Sequence, residues 1–180
     1  MSRRVQPSHA RLLFSVIFRE SGHFEECLRR ISGRVGNVER TSEPFPFDRT
    51  DYYEREMGAP LARRFVLMTD AVSRNDLPMA KLAAEEIEND LSVHGKRTVN
   101  IDPGLLADEN FVLATGKNYC HRIYLRDGVF ADLTLVFRKG EYRPLPWTYP
   151  DYASAEIRSY LTGLRREIQA ARKQALRGDH

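Results

Sequence analysis

The chain has 180 residues, 42% of them hydrophobic and 29% charged, which is long enough for one sizeable core and short for two. A net charge of +3, with both signs mixed along the chain, is too mild for a dedicated polyanion binder, so composition argues against a nucleic-acid partner. No apolar run approaches the roughly 18 residues that cross a bilayer, and Arg3 and Arg4 are not followed by the apolar stretch of a signal peptide. The expectation is a cytoplasmic protein without membrane contact, a single domain over 1–180 with frayed ends at 1–8 and 175–180. Cys27 and Cys120 are too few for a disulfide framework or a zinc site and read as two buried thiols.

In chain order, Leu12 to Phe18 combines β-branched and aromatic residues over a strand-sized length. Ser21 then caps a helix in which Phe24, Cys27, Leu28 and Ile31 form an apolar stripe, ended by Gly33 and Gly36. Val38 to Thr41 is extended. In residues 42–58 Pro44 and Pro46 oppose helix and leave an extended, aromatic-bearing segment. Arg64 to Val72 is a strand, Asn75 or Asp76 starts a second helix with Pro78 in its first turn, and His94-Gly95 closes it. Arg97 to Ile101 is a fourth strand, ending at Asp102-Pro103-Gly104. This βαββαβ order predicts an α+β fold of the ferredoxin-like plait type, in which the first and fourth strands pair and bring Val16 beside Ile101.

Beyond the plait, Tyr119 to Leu125 and Val129 to Phe137 flank Asp127-Gly128 and predict a β-hairpin. A Pro-aromatic crossing, PLPWTYPDY, then acts as a strap with Trp147 mostly buried, and Asp151 or Ser154 caps a long amphipathic helix striped by Ile157, Tyr160, Leu161, Leu164 and Ile168. Arg165, Arg166, Arg172, Lys173 and Arg177 crowd the end of that helix, a face on which a protein partner could dock.

Taken together, SEPFPFDRTDYYEREMG, KRTVNIDPG, HRIYLRDGVFADLTLVFRKG and PLPWTYPDY resemble, in this order and spacing, the bacterial family catalogued as domain of unknown function 4416. The resemblance covers nearly the whole chain, and some members of that family are labelled GTP-binding proteins. A P-loop needs G-x-x-x-x-G-K-[ST] to wrap phosphates in backbone amides. The nearest fragment, Ala114 to Asn118, has Phe111 in place of the first Gly and Asn118 in place of the Ser or Thr, so any nucleotide binding must use another kind of pocket.

Three clusters could carry chemistry. The alternation of the fourth strand places Lys96, Thr98, Asn100 and Asp102 on one face, where Lys96 offers a point charge, Thr98 and Asn100 neutral partners, and Asp102 a base; alternatively the face is solvated and Asp102 caps a turn at Pro103-Gly104. A two-residue turn pairs Arg126 with Val129 and His121 with Thr134, leaving Asp132 diagonal to His121 as the group that orients it, with Arg122 on the opposite face. A bulged turn would shift this register and swap the faces, and His121 could equally be a member of a structural network. Asp48, Asp51, Tyr52, Tyr53, Glu54 and Glu56 form an acidic-aromatic segment, and Asp48 and Asp51 together with Asp102 could hold Mg²⁺ through oxygen ligands. The functional expectation is binding, with or without turnover, of a small phosphorylated or nucleotide-like ligand by Asp102, His121, Asp132, Lys96, Thr98, Asn100, Arg122, Asp48, Tyr52 and Tyr53. The alternative is a non-catalytic protein or RNA interaction module. Tyr124 and Phe130 would be its base platforms, although the RNP pattern is absent.

Overall fold

The alternating and helical hydrophobic patterns resolve, in a computed structural model that describes residues 3–178, into nine strands and four helices. These are β1 (Ala10–Phe18), α1 (Ser21–Arg34), β2 (Val38–Thr41), β3 (Phe45–Pro46), α2 (Glu54–Met57), β4 (Ala62–Val72), α3 (Leu77–Asp90), β5 (Val99–Leu106), β6 (Asn110–Thr115), β7 (Arg122–Arg126), β8 (Val129–Arg138), β9 (Glu141–Pro144) and α4 (Ala155–Gly178). The fold class is α+β. The sheet runs β2-β4-β1-β5-β6-β8-β7, with β3 joined to β4 and β9 to β8, and every described pairing is antiparallel. This nine-strand order differs from that of the expected four-strand plait, because β6, β8 and β7 extend the sheet beyond β5. The first strand does pair with β5, Val16 opposite Ile101.

Period two sorts β1 between two cores. Leu12, Phe14, Val16 and Phe18 meet Phe24, Cys27 and Ile31 of α1 and Ala80, Ala84 and Ile87 of α3. Leu13 faces the other way, with Phe65 and Leu67 of β4, Phe111 of β6 and Leu135 of β8, against Ile157, Leu161 and Leu164 of α4. Helices therefore cover both sides of the sheet. A smaller cluster of Ile17, Phe47, Met57 and Leu61 fills the space that α4 does not reach.

Several boundaries depart from the sequence reading for identifiable reasons. Residues 42–58 are not wholly extended, since Glu54–Met57 turn helical once the prolines are passed and Gly58, at φ 80°, ends the turn. The helix α3 is preceded by a 3₁₀ turn, Arg74–Asp76, whose capping box pairs Ser73 with Asp76, and it ends at Asp90 rather than at His94-Gly95. β5 does not stop at Asp102 but runs through Pro103 and Gly104 to Leu106, so Asp102 caps no turn. β6, unexpected, lies between β5 and β8. The last helix, begun by Ser154 accepting the amide of Ile157, continues to Gly178, the last described residue. Cys27 is buried and its thiol pushed up to about 12 by burial, whereas Cys120 is exposed.

Candidate functional site

The site begins as a fork in the sheet. β5 and β6 pair only at Gly104–Leu113, Leu105–Val112 and Leu106–Phe111. Before Gly104, β5 stays with β1, while β6 beyond Leu113 stays with β8, so the two strands separate. An amide on the open side of β5 then lacks a strand partner, and that of Ile101 donates instead to Glu88 Oε1 from α3. Amide directions alternate along a strand, so the next position facing the gap is Pro103, which has no N–H to leave unpaired. A proline that reads as a strand terminator is in fact suited to the fork.

The fork opens into a cavity of about 850 Å³. Its buried floor includes Ile17, Arg63, Lys81, Glu88, Asn100, Asp132, Asp151 and Tyr152, and its exposed mouth Arg49, Asp51, Tyr52, Gly116, Lys117 and Tyr149. Lys81 is 8% exposed. Its Nζ lies 3.7 Å from Asp102 Oδ1 and 3.8 Å from Glu85 Oε1, and among the described residues it makes no hydrogen bond. Burial pushes the Glu88 carboxyl up to about 7, against the pull of Lys81. Asn100 Nδ2 donates to Asp102 Oδ2 at 2.8 Å, leaving Oδ1 toward Lys81. Arg97 is shared: its Nε and Nη2 donate to Glu56 at 2.9 and 2.6 Å, which holds the Glu56 carboxyl below the usual range, while its Nη1 donates to Asn100 Oδ1 at 2.9 Å. Arg63 pairs with Asp151 and lies over the Phe47 and Tyr152 rings, 5.0 and 4.4 Å from their centroids.

The hairpin turn forms at Asp127-Gly128, both at positive φ, and Arg126 opposes Val129 as expected. A bulge between Tyr124 and Arg126 then shifts the register, so that Arg122, not Ile123, opposes Asp132. Arg122 is consequently on the Asp132 side rather than the opposite face, donating from Nε to Asp132 Oδ2 at 2.9 Å and from Nη2 to the Tyr149 hydroxyl at 2.7 Å. His121 Nε2 lies 3.4 Å from the same Asp132 oxygen, and Thr134 Oγ1 donates to Oδ1 at 3.3 Å. Trp147 is 40% exposed, not mostly buried, because it lies over His121 with ring centroids 5.0 Å apart while its N–H donates to the Leu133 carbonyl.

Of the residues singled out from the sequence, Asp51, Tyr52, Tyr53, Asn100, Asp102 and Asp132 line the cavity. Arg122 stands at its rim and His121 reaches it only through Asp132. Lys96 and Thr98 instead line a separate depression of about 160 Å³ with Arg19 and His23, and Thr98 Oγ1 is spent on the Leu91 carbonyl. Asp48 is exposed and outside the cavity lining. Among the described residues no three His, Cys, Asp or Glu side chains converge to hold a metal, so Asp48, Asp51 and Asp102 are not assembled as a cation site. The residues missed by sequence reading are Arg63, Lys81, Glu85, Glu88 and Lys117. A signal for three of them exists: Lys81, Glu85 and Glu88 recur at i, i+4 and i+7, a polar stripe directly beside the apolar stripe of Ala80, Ala84 and Ile87 on α3. Gly116-Lys117 do line the mouth, but at the end of a strand and without a P-loop's following helix.

Fold and site together define an α+β protein with a polar cavity in a forked antiparallel sheet. The model of the family described as domain of unknown function (DUF4416) matches residues 8–167, and the chain belongs to that family. No curated protein and no solved structure matches the chain. Among the described residues no helix is long and apolar enough to cross a membrane.

Proposed function

We propose that this chain binds a small phosphorylated or nucleotide-like ligand in the forked-sheet cavity, by a route unrelated to a P-loop. Lys81 carries the reading: a buried ammonium without a hydrogen bond among the described residues, facing about 850 Å³ of open volume, calls for an acceptor-rich guest. Asp102, with Asn100 beside it, is the group offered to the ligand as acceptor or base; behind it Asp132, against which His121 also lies, holds Arg122, and Arg122 holds Tyr149 at the rim. The β2-β4-β1-β5 part of the sheet, with α1 and α3 on one side, is read as the plait on which the cavity is built. A bacterial, cytoplasmic setting belongs to the same reading, since phosphorylated metabolites are intracellular and both thiols are free.

The test is a thermal-shift screen of nucleotides, sugar phosphates and Mg²⁺, repeated with Lys81→Met. At least one phosphorylated compound is expected to raise the melting temperature by mass action, and the variant to lose that shift. A flat response across the panel overturns the reading.

The rival, a non-catalytic interaction module, draws on edge strand β7, where Ile123, Tyr124 and Leu125 are exposed. The arginines of α4 favour it less. Arg165, Arg166 and Arg172 donate to Asp108 and Gly140 of their own chain, and Tyr124 packs edge-on against Phe130 rather than presenting an open platform.

A further inference from the structure

Charge is sorted along the depth of the cavity. Around the floor, Lys81 faces Asp102 and Glu88, with Glu85 more exposed above them. Arg97 is held mainly by Glu56, its Nη1 reaching Asn100 at 2.9 Å and Glu88 at 3.9 Å, and Arg63 is paired with Asp151, so three carboxyl groups surround an ammonium that makes no hydrogen bond among the described residues. At the mouth the order reverses. Lys117 and Arg49 are exposed, neither is in an ion pair among the described residues, and Asp51 is the exposed acid beside them. Lys117 Nζ spends one donor on the Tyr52 hydroxyl at 2.8 Å, and Arg122 approaches from behind through the Lys117 carbonyl.

A phosphate dianion pushed down to Lys81 would sit within a few ångströms of carboxylates in a poorly solvated space, where like charges repel strongly. A neutral group that both donates and accepts meets no such penalty. A hydroxyl pair or a ring edge can donate to Asp102 Oδ1, whose sister oxygen is already used by Asn100, while accepting from Lys81. Building on the ligand class proposed above, we infer that the ligand enters with its sugar or ring end first and leaves its phosphate at the mouth on Lys117 and Arg49. The ligand class is then a phosphorylated polyol or nucleoside, and inorganic phosphate alone does not suffice. The phosphate takes over from the Tyr52 hydroxyl as acceptor for Lys117.

Matched pairs decide the orientation: adenosine with AMP, and ribose with ribose 5-phosphate, titrated calorimetrically alongside inorganic phosphate. The wild type should prefer the phosphorylated member of a pair and bind inorganic phosphate negligibly. Lys117→Ala, at an exposed position, should weaken the phosphorylated member about 10-fold, the worth of a charged hydrogen bond, and leave its partner unchanged. Asp102→Asn should weaken both members by the same factor. If Lys81→Met erases the preference for phosphate while Lys117→Ala does not, or if inorganic phosphate binds as well as AMP, the orientation is overturned and the ligand class survives. If no member of either pair binds to a protein whose melting curve shows it folded, the ligand class falls and the orientation with it.

Discussion

Glu88 does two jobs that conflict. Its carboxylate replaces a missing strand as acceptor for the Ile101 amide, yet its burial drives the pKa from 4.5 to about 7. The folded protein thus holds a proton that the unfolded chain releases, so this group's effect on stability is absent below about pH 4.5. It becomes increasingly unfavourable as pH rises to about 7 and then levels off, on the order of 3 kcal/mol in all. Glu88→Gln keeps an acceptor for Ile101 without the ionisation. Its stability relative to the wild type, followed by denaturant titration from pH 4.5 to 8, is expected to climb across that window; a pH-independent difference would refute the assignment. The i, i+4, i+7 stripe of Lys81, Glu85 and Glu88 marks a shared face but not its burial, since charged residues on a helix normally read as solvated. The burial follows from β5 passing beneath α3.

At the scale of elements, Gly104 marks where β5 leaves β6. A Cβ there would lie 2.7 Å from Phe111 Cζ and 3.1 Å from Leu113 Cδ2, so the Phe111 ring occupies the space a side chain would need. Gly104→Ala should cost about 1–3 kcal/mol by overpacking, read from the shift of the urea midpoint, and Phe111→Leu in the same chain should recover part of it. The strands and helices were legible because each advertises its period, and the hairpin because Asp127-Gly128 suits the positive φ its turn requires. The bulge was not: one extra residue between Tyr124 and Arg126 changes no composition, yet it moves Arg122 opposite Asp132. β6 gives little periodic signal because Asn110–Thr115 is short and abuts Gly116, and Pro103 reads as a stop because the gap that spares it a partner is made by residues distant in sequence.

For the whole molecule, the Arg63–Asp151 pair joins β4 to the segment entering α4, 4% and 8% exposed at the two side chains. Asp151→Ala leaves a guanidinium buried without its counter-charge and is expected to cost about 3–5 kcal/mol in denaturant titration, whereas an exposed pair such as Arg126–Asp127 should be nearly silent. A loss for Asp151→Ala below 1 kcal/mol would mean that the pair is not buried in solution. The same long reach explains why the cavity was only half readable: Asn100 and Asp102 share one strand face, but Arg63, Lys81 and Lys117 come from three other places in the chain and meet only once it folds. The fork carries a further consequence. Every open sheet has two outer edges, but a forked one has an inner edge as well, along Val99–Asp102, which a strand from a second chain could use to extend the sheet. The walls of the cavity also shield that edge, so damage to Glu88 or to the Phe47–Tyr53 segment removes protection against aggregation at the same time as it removes a binding surface.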